Sequence, residues 1–221
     1  AAGGRGMSLT PLDRLEGAAH GVQVDRPPCI CPGGMMNMVV EGAMEASGSF
    51  WPEAHTDPEK MAALARALEQ SGGFENYGVP FCMTVEAEAM GATVDMGSAT
   101  VEPHVVDSPL SSALELDKLR PMDLTAGRPA VVLRAISLLK AGAGDVPVVG
   151  NITGPMSVAG TLVDMSALLR ELQAYTVSIS QSEYKQLRNV LHTVLDGAAL
   201  VLPKKYYDAH KGLSLEPVCQ D

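Results

Sequence analysis

Aromatic side chains make up only 4% of this 221-residue chain, and there is a single tryptophan. Few rings are therefore available for nucleic-acid bases to stack on. Basic residues are outnumbered as well, with 16 Lys and Arg against 26 Asp and Glu and a formal net charge of −10. No basic cluster is present to follow a phosphate backbone, so nucleic acid is not an expected partner. The four cysteines fall in no framework spacing, which fits free thiols in a reducing compartment rather than a disulfide scaffold. Long hydrophobic runs are missing too: the longest apolar stretches contain polar breaks and fall short of a membrane span. Residues 1–7 (AAGGRGM) lack the apolar core of a signal peptide. These absences point to a cytoplasmic protein. What the chain does have is apolar bulk, 46% of its residues, ample for a packed core and unlike a disordered protein.

The organising stretch is residues 25–38, DRPPCICPGGMMNM. Pro27 and Pro28 fix φ and end whatever precedes them. A short run, Cys29-Ile30-Cys31, predicts a buried strand, and Pro32-Gly33-Gly34 predicts a sharp turn after it. Residues 79–83 (VPFCM), running into Thr84 and Glu86, repeat the arrangement, as do residues 146–152 (VPVVGNI), running into Thr153-Gly154-Pro155. Three strand ends are thus expected to face one site.

Helical spacing fills the intervals. Ser8 or Thr10 can cap a first helix with Pro11 in its first turn and Leu12, Leu15 and Ala19 on one face, ending near Gly21. Residues 35–46 return to helical spacing. Asp57-Pro58 opens a clear helix over 58–71, with Met61, Leu64, Ala65 and Leu68 inward. Residues 86–90 predict one helical turn closed by Gly91. Alternation over 92–110 predicts a hairpin or an excursion outside the main sheet. A short helix over 114–119, a loop over 121–128, a strong helix over 131–140, and a tail with a helix (183–195) and a strand (198–202) complete the reading. Strands alternating with helices imply parallel βα units.

DRPPCICPGGMMNM, WPEAHTDPEKMA, ENYGVPFCMTVEAEAMGATVDMG, EPHVVDSPL and VPVVGNITGPMSVAGTLVDM together resemble the uroporphyrinogen decarboxylase superfamily, and within it the corrinoid-dependent methyltransferases. The resemblance covers residues 10–172 of a single domain, 1–221, and leaves 173–221 as a divergent tail. It implies a TIM (β/α)8-type barrel with its site at the C-terminal ends of the strands. Because such a barrel needs about 250 residues, the barrel is expected to be incomplete in this chain. The implied reaction moves a methyl group between methylcobalamin, a corrinoid on a partner protein, and a small-molecule acceptor, a thiol or tetrahydrofolate. The methyltransferases also carry zinc on a His-x-Cys pair and a distant Cys, but no His-x-Cys occurs in this sequence.

Each candidate residue has a functional and a plain reading. Cys29, Cys31 and Cys82 can bind zinc as soft thiolates, or pack as small core side chains. Gly33 and Gly34 can admit a ligand to the backbone or simply make the turn. Asn37 offers both donor and acceptor, or caps a helix. Met35, with Met36 and Met38, makes a soft surface for a flat corrinoid or for an ordinary core. Glu86 and Glu88 are paired carboxylates beside a strand end. They sit about 200° apart on a helix, so one faces the site, and Glu86 is the nearer; its plain alternative is a salt bridge to a neighbouring helix. Asn151 and Thr153 are polar in an apolar run and need partners, and Gly154 fixes the turn beside them. His55 and His104 read as surface loop residues, Cys219 in the tail reads as a free thiol, and His192 and His210 connect to no chemistry.

Glu86 and Asn151 are therefore the expected catalytic residues, with Gly33, Gly34, Met35, Asn37, Cys82, Thr153 and Gly154 around substrate and cofactor. Two other readings compete. A porphyrinogen decarboxylase would need cations for its substrate's carboxylates, yet Pro-Gly-Gly-Met-Met-Asn stands where its Arg-bearing loop belongs. A non-catalytic partial barrel would leave open sheet edges that favour association with a partner or a second copy.

Overall fold

Pro11 in the first turn and Thr10 at the cap start helix α1 (Pro11–Ala19), where the Thr10 hydroxyl accepts from the Asp13 amide. The computed structural model describes residues 8–31 and 41–175. The expected turn at Gly33-Gly34, with Met35 and Asn37, lies outside the described residues, as do the tail elements over 183–202, His192, His210 and Cys219. The expected apolar face of α1 is not its anchor: Leu12 and Leu15 are half-buried, Ala19 is exposed, and the buried residue is Arg14. Arg14 donates to both Asp25 oxygens (2.8 and 3.0 Å), to Glu75 (2.6 Å) and to the Leu9 carbonyl (2.7 Å). One guanidinium thus ties the first helix to residues 25 and 75, because its planar fork can serve several acceptors at once.

Residues 29–31 are not a regular strand. They run beside residues 75–76 instead, through Cys29 N to Glu75 (2.9 Å), Glu75 N to the Cys29 carbonyl (2.8 Å), and a two-way pairing of Cys31 with the Asn76 side chain (2.7 and 2.8 Å). An amide side chain takes the place of a backbone rung, so no ladder propagates. Cys29 is exposed and Cys31 buried, and the two thiols do not share an environment.

Helix α2 (Glu41–Ser47) buries Ala43 and Met44. A single 3-10 turn (Glu53–His55) leads to α3 (Pro58–Gln70), capped by the Asp57 carboxylate on the Lys60 amide at 2.9 Å. All four inward positions read from the sequence are buried, with Ala62 beside them. Strand β1 (Tyr77–Val79) is shorter than the apolar run 79–83 suggested. Pro80, which has no N–H for a ladder, stops it, and Phe81 and Cys82 bury their side chains in the bend that follows. Helix α4 (Val85–Ala89) is the expected single turn, and Gly91 closes it at φ 115°.

Strands β2 (Thr93–Asp95) and β3 (His104–Asp107) form the expected antiparallel hairpin outside the main sheet. A 3-10 turn (Ala113–Lys118) replaces the expected short helix, and α5 (Gly127–Ala141) starts four residues earlier than its apolar pattern. Strand β4 (Val148–Gly150) pairs parallel with β1, Tyr77 against Val148 and Val79 against Gly150. The Asn151 amide extends the ladder to the Val79 carbonyl at 2.8 Å. Helices α6 (Pro155–Leu162) and α7 (Met165–Tyr175) follow, neither of them anticipated. The main core joins α2, α3, β1 and α5 around Met61, Leu64, Phe81, Ala135 and Leu139. Two parallel strands, not three, bring their ends together among the described residues.

Candidate functional site

Parallel pairing places the C-terminal ends of β1 and β4 side by side, and each end opens into a polar turn. After β1 the chain enters α4 and presents Glu86; after β4 it passes Asn151 to Thr153. Thr153 donates to both Glu86 oxygens, its amide at 3.0 Å and its hydroxyl at 2.9 Å. Two residues 67 apart in sequence therefore close one bridge across the strand ends. Two of the carboxylate's roughly four acceptor sites remain for another donor. Asn151 is half-buried and, with Glu86, supplies the polar lining of a cavity of about 60 Å³. Gly154 is exposed and stands at the N-cap of α6 with an ordinary φ of −62°, its carbonyl accepting from the Val158 amide at 3.0 Å, so it makes the turn.

Glu88 goes the other way, as the helical angle requires. It pairs with Arg128 of α5, so the salt bridge to a neighbouring helix belongs to Glu88 and not to Glu86. Arg128 is only 5% exposed. It also donates to the Thr84 hydroxyl (2.8 Å) and to the Cys82 sulfur (3.2 Å). Thr84 stands at the N-cap position of α4 without capping it, because its hydroxyl instead accepts from Arg128 and donates to Cys82 at 3.5 Å. Arg128 thus clamps α4 at both ends while Thr153 holds its middle. Cys82 is a buried acceptor in this cluster, 1% exposed, rather than a side chain of the Glu86 cavity. A second cavity, of about 490 Å³, opens on the far side of α4 beside Glu88, Arg128, Asp123 and Thr56.

Sequence reasoning missed Arg128 and misplaced His55. The signal for Arg128 was its position: a cation in the first turn of a helix opposes the helix dipole and calls for another reason to be there. His55 is not on the surface but 1% exposed, and among the described residues both its ring nitrogens and the nearby Trp51 indole N–H have no hydrogen-bond partner. It packs between Trp51 (ring centroids 4.9 Å apart) and Phe81 (6.2 Å). Burial, and then the positive charge of Arg128, push its imidazole down to about 4. The spacing Trp51–His55, four apart, was the available hint that both lie on one face of a helical turn. His104 is exposed, as expected, but begins strand β3.

Among the described residues, no three His, Cys, Asp or Glu side chains converge as metal ligands. With Cys29 exposed, and Cys82 held by Arg128 and Thr84, these residues do not fit a zinc site. No helix among the described residues is long and apolar enough to cross a membrane.

Parallel strands flanked by helices, with polar residues gathered at the strands' C-terminal ends, define an α/β protein whose site follows the barrel-enzyme pattern. The chain belongs to the uroporphyrinogen decarboxylase (URO-D) family, whose model matches residues 10–193. It is 41% identical over 151 residues to the methylcobamide:CoM methyltransferase MtbA of Methanosarcina mazei, covering 68% of this chain and 44% of that protein. Against the methylcobamide:CoM methyltransferase MtaA of Methanosarcina barkeri the identity is 35% over 163 residues, 73% of this chain and 47% of that protein. A solved structure, a methyltransferase from Methanosarcina mazei, superimposes with a TM-score of 0.69 at 32% identity, over 86% of this chain and 53% of that one. The family and this neighbour imply a TIM-barrel-type α/β fold. The chain spans about half the length of the curated relatives it matches.

Proposed function

We propose that this chain carries the acceptor-binding part of a corrinoid-linked methyltransferase, in which a small thiol receives a methyl group delivered by a corrinoid-bearing partner protein. The observation that carries the reading is the Glu86–Thr153 bridge at adjacent strand ends, within a chain similar to methylcobamide:CoM methyltransferases. The corrinoid is the methyl-bearing substrate here and not a resident group. It supplies an electrophilic methyl, and the electron pair of the broken bond stays with the carrier.

What this chain's residues do is bind and deprotonate. The acceptor's S–H points to the open lone pairs of Glu86, which takes the proton as the carbon–sulfur bond forms. Thr153 fixes the carboxylate with two donors so that it does not turn away. Asn151 orients the acceptor, being able both to donate and to accept. A proton acceptor placed in this way is worth roughly 10²- to 10⁴-fold in rate. The decarboxylase reading has less support: among the described residues no Arg or Lys lines the Glu86 cavity, and Arg128 is already committed to Glu88, Thr84 and Cys82.

The test is anaerobic visible spectroscopy of methylcobalamin with this protein and either coenzyme M or tetrahydrofolate. Thiol-dependent loss of the methylcobalamin bands is expected, and Glu86→Gln should slow it by about 10²- to 10⁴-fold. No change with either acceptor overturns the reading. Loss with tetrahydrofolate alone overturns the choice of a thiol.

A further inference from the structure

The cavity beside Glu86 and Asn151 holds about 60 Å³. That is room for only a few water molecules, so a thiol acceptor is not fully enclosed by the wall as it stands. An acceptor seated against Glu86 presses on this wall, so the size it can have depends on which parts of the wall give way. Most of the wall is fixed, since Val85 belongs to α4, Val132 and Ile136 to α5, and Gly150 to β4. Pro80, Asn151 and Ile152 lie in the turns that follow β1 and β4, where the Asn151 amide is tied to the Val79 carbonyl; Met122 and Leu124 come instead from the segment between the 3-10 turn (Ala113–Lys118) and α5.

This segment is attached differently from the rest. Met122 and Leu124 are half-buried against the Glu86 cavity, while Asp123 between them lines the 490 Å³ cavity. With Met122 and Leu124 on one cavity and Asp123 and Ala126 on the other, residues 121–126, which turn at 124–126, form a partition between the two spaces. Its polar contacts are internal: the Asp123 carboxylate accepts from the Thr125 amide (2.8 Å) and hydroxyl (2.7 Å). Among the described residues, no hydrogen bond joins 120–126 to the scaffold. Two apolar side chains seat the partition, and the larger cavity behind it offers space to move into.

We propose that Met122 and Leu124 are specificity-determining residues: they gauge the length of the thiol admitted to Glu86, and the acceptor enters by displacing them towards the larger cavity. The inference rests on the assignment of the Glu86 cavity to a thiol acceptor. An unbranched, flexible methionine suits such a wall, because it repacks around guests of different length. The leucine, with fewer rotamers, sets the limit.

The experiment titrates mercaptoethanol, mercaptopropanol and mercaptobutanol into the full chain by calorimetry, for wild type and for Met122→Ala, Leu124→Ala and Leu124→Phe. Wild type should favour the shortest thiol. The alanine variants should shift preference towards longer thiols by about tenfold or more per methylene, and Leu124→Phe should sharpen the preference for the shortest. Should an alanine variant fail to fold, Leu124→Phe still decides, since it fills space instead of removing it. An order of preference unchanged in every folded variant overturns the proposal, as does failure of all three thiols to bind wild type. A shifted order without methylcobalamin turnover supports this inference while overturning the methyl-transfer reading, so the two fail separately.

Discussion

Arg128 occupies the second position of α5, where a positive charge is disfavoured by the helix dipole. Its bonds to Glu88, Thr84 and Cys82 more than offset that cost. Arg128→Met should lower unfolding free energy by roughly 2–3 kcal/mol, since charged hydrogen bonds of this kind contribute about that much. Urea unfolding would check it, and Arg128→Lys should recover only part, because an ammonium cannot reproduce the planar fork. His55 makes a different prediction. It is neutral in the fold, at about 4, against 6.5 when unfolded. An unfolded chain thus binds the extra proton between those values, so this stability is complete above pH 6.5 and lost as pH falls towards 4. The full loss is roughly 3 kcal/mol. Unfolding midpoints at pH 7 and pH 5 should differ in wild type and converge in His55→Phe. Asp25, which Arg14 holds down to about 2, responds only at still lower pH and does not blur the comparison.

At the scale of elements, helices with caps and a buried stripe were legible and short strands were not. Helix α3 announced itself through Asp57, Pro58 and four apolar positions at helical spacing, and all of these hold. Asp57→Ala should cost about 1 kcal/mol by leaving the Lys60 amide uncapped, which thermal unfolding would register. The run at 79–83 misled because apolar character shows burial but not hydrogen bonding: Phe81 and Cys82 are buried without belonging to a ladder. The run at 29–31 misled for a related reason, since its partner is largely an Asn76 side chain. The hairpin β2–β3 turns at Gly97, which has φ 73°, and a Cβ there would collide with the Val101 carbonyl. Both the left-handed backbone and the close approach demand glycine. Gly97→Ala should therefore open the hairpin, seen as faster amide hydrogen exchange at Val94 and Val105, while α3 and α5 keep their protection.

At the scale of the molecule, the described main sheet has two strands, β1 and β4, in a chain about half as long as its curated relatives. We propose that the outer edges of this two-stranded sheet, which pair with no further strand among the described residues, associate with a complementing partner or with a second copy. Sedimentation velocity across a hundredfold concentration range should show a mass that rises with concentration. A constant monomer mass would show that the edges are covered within the chain.

What the residues determined alone follows from local physics. Proline and Asp or Thr caps begin helices, glycine at positive φ ends them, and period-3.6 apolar stripes choose the buried face of α3. The motif pattern also placed the chain in its family and singled out Glu86, Asn151 and Thr153. Only the tertiary structure decided how these act together. The bond from Thr153 to Glu86 spans 67 residues, and the clamp of Arg128 on Thr84 spans 44. His55 became buried because Trp51 and Phe81 close around it. Contacts of that range arise when parallel strands bring distant ends into register, and no local spacing encodes where a crossover will return.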